Sequence, residues 1–112
     1  MFTDAAKNRI RDLLSADIYN AGLGTDGTTP TSSDTALGAA VSATDATPTI
    51  TTGNKTLNVS HVLLSTTSAG TTFKEFGVRL NGGATLLNRV VFPDFAHTAN
   101  DELHTTVIYR IN

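Results

Sequence analysis

Apolar or β-branched residues occupy every second position of the last stretch of the chain, at Leu103, Thr105, Val107, Tyr109 and Ile111. A period of two places alternate side chains on opposite faces, which a β-strand does and a helix does not. Threonine, which is β-branched and favours extended backbone, supplies 20 of the 112 residues. The sequence therefore predicts a chain of strands and loops that ends on a strand whose odd-numbered residues face inward.

Two further regions carry strand patterns. Leu57, Val59, His61 and Leu63 alternate with residues that become apolar towards Leu64, which is typical of a central strand. Residues 72–80 and 86–92 flank Asn81-Gly82-Gly83, and this order predicts a hairpin. We expect one domain over residues 1–112 with a β-core at about 55–112, folded as an antiparallel β-sandwich or small barrel with one N-terminal α-helix.

The N-terminal region has a helical signature. Thr3 is a suitable N-cap, and the residues after it predict a helix from about 4 to 16. One face would carry Ala6, Ile10, Leu13 and Leu14. The opposite face would be the solvated one, with Lys7, Asn8, Arg9, Arg11 and Asp12.

Residues from about 20 to 53 are rich in threonine and glycine. Residues 20–34 predict a surface loop, because nearly all of them favour turns. Residues 36–41 could form a short edge element. Residues 43–53 surround Pro48 without a clear period, so no element is predicted there.

Charge and composition exclude several functions. The net charge is −2 with eight scattered basic residues, which argues against nucleic acid as a partner. The apolar runs are far shorter than a membrane span, and the first residues lack the pattern of a signal peptide, so we expect a soluble protein without a membrane partner. There is no cysteine, hence no thiolate nucleophile and no cysteine-based zinc site.

No arrangement typical of catalysis occurs. His97, Asp101, Glu102 and His104 are close in sequence, but their spacing matches no known metal motif. His61 lies on the apolar face of a predicted central strand, where a hydrogen-bonded core histidine is the usual case. We expect no enzyme activity, no catalytic or metal-binding residues and no cofactor.

Two patterns give the sequence a resemblance to known proteins. The first is Gly22-Leu23-Gly24-Thr25-Asp26-Gly27, followed by a threonine-rich loop that ends in Asp34-Thr35-Ala36-Leu37. The second is Phe73-Lys74-Glu75-Phe76-Gly77-Val78, then a glycine turn, then Leu86-Leu87-Asn88-Arg89. In this order they resemble small structural proteins of tailed-phage virions, over roughly residues 20–112. These proteins are tail-fibre or collar-like, and some comparable β-proteins decorate capsids.

The resemblance implies a non-enzymatic subunit that docks on or cements the virion exterior, as capsid decoration, turret, or collar and fibre attachment. Its partners would be further copies, from a trimer to a hexamer, and other virion proteins. It would be made in the host cytoplasm and reside in the virion. The alternative is a stand-alone β-sandwich module that binds a glycan or peptide through residues 20–53. Candidate interface residues are Phe2, Ile10, Leu14, Phe92, Phe95 and Tyr109.

Overall fold

A computed structural model describes all residues, 1–112, as one helix and two three-stranded antiparallel sheets packed face to face. The helix α1 spans Asp4–Asp17. The strands are β1 (Ile18–Gly24), β2 (Thr49–Gly53), β3 (Thr56–Leu63), β4 (Thr72–Leu80), β5 (Thr85–Ala96) and β6 (Leu103–Arg110). One sheet has the order β1-β4-β5 and the other β2-β3-β6. The predicted β-sandwich with an N-terminal helix is confirmed.

Local sequence sets the ends of α1. The Thr3 hydroxyl accepts a hydrogen bond of 3.1 Å from the backbone N–H of Ala6, which satisfies one of the free donors of the first turn. At the other end Ile18 takes an extended conformation and the chain continues directly into β1. The predicted helix is therefore confirmed, one residue longer than expected.

The core lies between the two sheets. Eight fully buried residues form it: Ala21, Leu23, Leu57, Val59, Leu63, Phe73, Phe76 and Val78. The predicted inward face of β3 is confirmed, and β3 is central in its sheet. The odd-numbered residues of β6 do face inward, but all of them are only half-buried.

The predicted hairpin is confirmed as β4 and β5, with Gly82 and Gly83 in the left-handed conformation. Alternation over residues 72–80 predicts one face with Thr72, Lys74, Phe76, Val78 and Leu80, and this prediction is wrong at the start of β4. A register shift between Phe73 and Glu75 turns Phe73 inward together with Phe76. A bulge of this kind interrupts the period of two, so strict alternation could not predict it.

The predicted surface loop at 20–34 is wrong in its first part, because β1 runs through the core as far as Gly24. On one side β1 pairs with β4; on the other, single bridges to Ala40 and Ala46 cover its edge. The Thr44 hydroxyl also accepts a 2.8 Å hydrogen bond from the N–H of Leu23. The predicted edge element at 36–41 is thus one bridge, and 49–53 forms a strand, β2, that the sequence did not indicate.

The molecule measures 47 × 29 × 25 Å. No helix in it is both long and apolar enough to cross a membrane.

Candidate functional site

A buried ion pair joins the strands of the β4–β5 hairpin. The Glu75 carboxylate accepts a 2.7 Å hydrogen bond from Nε of Arg89. The Glu75 side chain is 0% exposed and that of Arg89 is 4% exposed. Charges removed from water to this degree must be compensated by hydrogen bonds on all sides.

The compensation comes from the loop between β1 and β2. Glu75 accepts hydrogen bonds from the backbone N–H groups of Asp26, Gly38 and Ala39 at 2.8–3.0 Å. Arg89 donates to the carbonyl oxygens of Asp26 and Thr28 at 3.0 and 2.8 Å. It also lies 3.6 Å from the Asp26 carboxylate and 3.4 Å from that of Asp34. We call Glu75, Arg89 and the residues they bind at 26–39 the loop clamp.

Hydrogen bonds determine the ionisation of the clamp. Burial alone would raise the pKa of Glu75, but the Arg89 guanidinium and the N–H groups of Ala39, Asp26 and Gly38 outweigh it and lower that pKa below its ordinary value. The Thr28 hydroxyl and N–H lower the pKa of Asp26 in the same direction. The clamp carboxylates therefore stay charged at lower pH than free Asp and Glu side chains do.

Two glycines allow the loop to lie this close to the sheet. A Cβ atom on Gly24 would stand 2.8 Å from the Glu75 carboxyl carbon and 2.6 Å from the carbonyl oxygen of Ala39. A Cβ on Gly38 would overlap the Asp26 side chain. Gly24 belongs to the quoted loop pattern and Gly38 directly follows it, so there is a steric reason for glycine at both positions.

The loop clamp brings together the two patterns on which the resemblance rests. Asp26 of the first pattern, together with Gly38 and Ala39 directly after it, supplies backbone groups. The Glu-x-Gly and Leu-Leu-x-Arg segments of the second pattern supply Glu75 and Arg89. The second pattern contains both Glu75 and Arg89, but the sequence did not indicate that they pair, because they are 14 residues apart. The clamp holds a long exposed loop in one conformation.

A second feature is the orientation of α1, whose polar face meets the sandwich. The Asn8 side chain accepts a 2.7 Å hydrogen bond from the N–H of Lys55 and donates to Asn54 at 3.3 Å. Arg11 donates to the carbonyl oxygen of Gly53. The prediction that this face is solvated is wrong for these side chains, because the β2–β3 turn offers them free backbone donors and acceptors.

Part of the apolar face of α1 is consequently turned outward, whereas Leu14 packs against the core. Leu13 is 57% exposed, Ile10 is 37% exposed, and Phe2, which directly precedes the N-cap Thr3, is 63% exposed. No residue of α1 is fully buried. We call Phe2, Ala6, Ile10 and Leu13 the outer helix face. Arg9, also exposed, is the charged residue among them, and the exposed Asp17 follows one turn after Leu13 at the C-terminal end of the helix.

A third feature is an open groove between β5 and β6. These strands lie at the same side of the sandwich in different sheets, and neither has a fully buried residue. The groove has a volume of about 440 Å³. It is lined by Phe76, Val90, Phe92, Phe95, Leu103 and Val107. We call it the β5–β6 groove.

The six predicted interface residues fall into three places. Phe2 and Ile10 lie on the outer helix face, and Phe92 and Phe95 line the β5–β6 groove. Leu14 and Tyr109 pack against the core, as Phe92 also does. The Tyr109 hydroxyl donates a hydrogen bond to the Asn88 side chain, which ties β6 to β5 within the chain. Interface formation stays a prediction for all six residues.

The histidines have structural surroundings. Nε2 of His61 lies 2.7 Å from the carbonyl oxygen of Thr44, and the ring packs edge-on against Phe76. His97 is buried between Phe73 and Phe95, with Nε2 3.1 Å from the carbonyl oxygen of Leu64. The expected role of His61 as a hydrogen-bonded core residue is thus confirmed. No group of three or more potential metal ligands occurs.

His61 should make stability depend on pH. Burial lowers its pKa below the ordinary 6.5, against the opposing effect of the Thr44 carbonyl. Below about pH 6.5 the unfolded chain binds a proton at this histidine more readily than the folded chain does. The free energy of unfolding should therefore decrease as the pH is lowered. Urea unfolding between about pH 7.5 and 5 would show this slope, and His61→Gln should flatten it. An unchanged slope in the variant would contradict the assignment.

In comparisons with known proteins, no protein-family model, no curated protein and no solved structure matches this chain significantly.

Proposed function

We propose that this chain is a non-enzymatic structural subunit of a tailed-virus particle, which docks on or cements the virion exterior. The resemblance of its two sequence patterns to virion proteins is the basis of the viral assignment. The outward apolar face of α1 is the observation that carries the structural role.

In an isolated domain, packing a helix by its polar side leaves apolar surface in contact with water, which is unfavourable. Phe2 and Leu13 are mostly exposed and Ile10 is 37% exposed, so the chain forgoes part of the roughly 1.5–3 kcal/mol that full burial of each side chain would contribute. Large exposed apolar patches commonly mark protein interfaces. In an assembly the outer helix face would be covered, and the arrangement then becomes favourable.

The loop clamp supports the same proposal. A subunit that fits a fixed site on a particle needs a surface of constant shape, because ordering a loop upon binding costs free energy. Glu75 and Arg89 hold residues 26–39 before any partner arrives.

The alternative of a glycan-binding module finds less support. Residues 20–53 contain no phenylalanine, tyrosine or tryptophan, so this loop cannot offer the aromatic surface on which sugars commonly stack. The exposed part of the loop is instead built from threonine, serine and small residues.

Co-purification with particles tests the proposal. The tagged chain, expressed in host cells that produce the virus particles, should sediment with the purified particles at a fixed number of copies per particle. Leu13→Asp, at a 57% exposed position, should leave the thermal unfolding of the isolated chain nearly unchanged while reducing incorporation at least about tenfold, since a buried unpaired charge is costly. Thr51→Asp, on the exposed edge strand β2, is the matched control. Absence of the wild-type chain from particles would overturn the proposal.

A further inference from the structure

We infer that the β5–β6 groove is the docking site for the outer helix face of a second copy of this chain, so that copies associate head to tail. The inference rests on the proposed assembly function and names the partner of its two unpartnered apolar surfaces. Each surface lacks a cover within its own chain.

The two surfaces lie at opposite ends of the sandwich. Helix α1 is bound to the β2–β3 turn, next to which Thr56 pairs with Arg110 at the far end of β6. The groove is lined by the first half of β6 and the last half of β5. One copy therefore presents a helix at one end and a groove at the other, which is the geometry of a heterologous contact.

Shape and length agree. A helix surface is convex, and the groove is concave with an apolar lining. Ala6 to Leu13 extends about 10 Å along a helix axis. Leu103 to Val107 extends about 13 Å along a strand. The side chains of Ile10 and Leu13 would thus meet the lining of the groove along its length.

Charge decides between this partner and a bundle of identical helices. Arg9 lies within the outer helix face and takes part in none of the ion pairs of the chain. The exposed carboxylates Asp94, Asp101 and Glu102 are close in sequence to lining residues of the groove. Asp94 has Lys74 at 3.9 Å, and Glu102 has His104 at 3.4 Å. Packing outer helix faces against each other would bring Arg9 near its own copies, whereas groove docking brings it to carboxylates.

A head-to-tail contact of this kind closes into a ring when successive rotations complete a full turn. The expected trimer to hexamer would arise in this way, with α1 of each copy seated in the next. An open chain of copies is the product if the rotation does not close.

Charge reversal and its rescue test the inference. Arg9→Glu and Glu102→Arg, each at an exposed position, should each weaken self-association roughly tenfold or more, because like charges then face each other. The double variant R9E/E102R should restore association to within about twofold of the wild type. Arg110→Glu is the control, because it makes the same charge change as Arg9→Glu but lies at the end of β6 away from the groove. It should have little effect on association. Light scattering and sedimentation over a concentration series measure the association, with circular dichroism to verify folding.

Three outcomes would overturn the inference. The first is a loss of association in R9E but no loss in E102R, which would indicate packing between helices. The others are failure of the double variant to restore association, and a wild-type chain that stays monomeric at its highest soluble concentration. A monomer that still co-purifies with particles would leave the proposed function standing and assign the outer helix face to a different virion protein. If the chain were absent from particles but the double variant restored self-association, the inference would stand and the proposed function would be overturned.

Discussion

Arg89→Ala is expected to lower the free energy of unfolding by about 3–5 kcal/mol, because it leaves a buried charge without its partner. Glu75 would remain 0% exposed in the fold, with three backbone N–H groups but no cation beside its carboxylate. The carbonyl oxygens of Asp26 and Thr28 would lose their donors as well. Chemical denaturation at neutral pH measures the loss.

Arg89→Ala should also make the loop at residues 26–39 open more often. In the Arg89→Ala variant, we expect faster amide hydrogen exchange at Gly38 and Ala39, whose N–H groups bind Glu75. Arg9→Ala removes an exposed arginine without ion pairs and should change stability by no more than about 0.5 kcal/mol. A destabilisation by Arg89→Ala below about 1 kcal/mol, or unchanged exchange at Gly38, would mean that the clamp does not hold the loop.

Much of the fold could be predicted because local patterns and tertiary structure agree. The helix has an N-cap, β3 and β6 alternate, and the hairpin has a glycine turn, so each element carries its own signal. Where prediction failed, the deciding contact came from a distant segment. Strand β1 reads as turn-forming residues, yet pairing with β4 and the cover from Ala40 and Ala46 make it part of the core.

The candidate site was less predictable for the same reason. The pairing of Glu75 with Arg89 depends on strand register, and their shared loop contacts depend on where residues 26–39 return. The orientation of α1 could not be predicted at all from its amphipathic pattern, since the pattern shows that two faces differ but not which one meets the domain. The free backbone groups of the β2–β3 turn decide it.

These failures have a common feature that bears on function. The outward apolar face, the half-buried strands β5 and β6, and the clamped polar loop each depart from what an isolated domain would be expected to do. Sequences depart from such local consistency mainly at functional positions. Here the departures lie on surfaces, which agrees with the proposed role as a subunit of an assembly.

Phe76→Ala is the second large prediction and should lower the free energy of unfolding by about 3–5 kcal/mol, since it leaves a cavity in the core. Phe76 is fully buried, packs against His61 and forms the floor of the β5–β6 groove. Phe2→Ala removes the same side chain from an exposed position, so it should be nearly neutral for the unfolding of dilute monomer and should weaken self-association instead. Urea unfolding at low concentration and sedimentation at high concentration separate the two effects. If Phe2→Ala destabilised the monomer as much as Phe76→Ala did, then α1 would belong to the core and its outer face would not be free to dock.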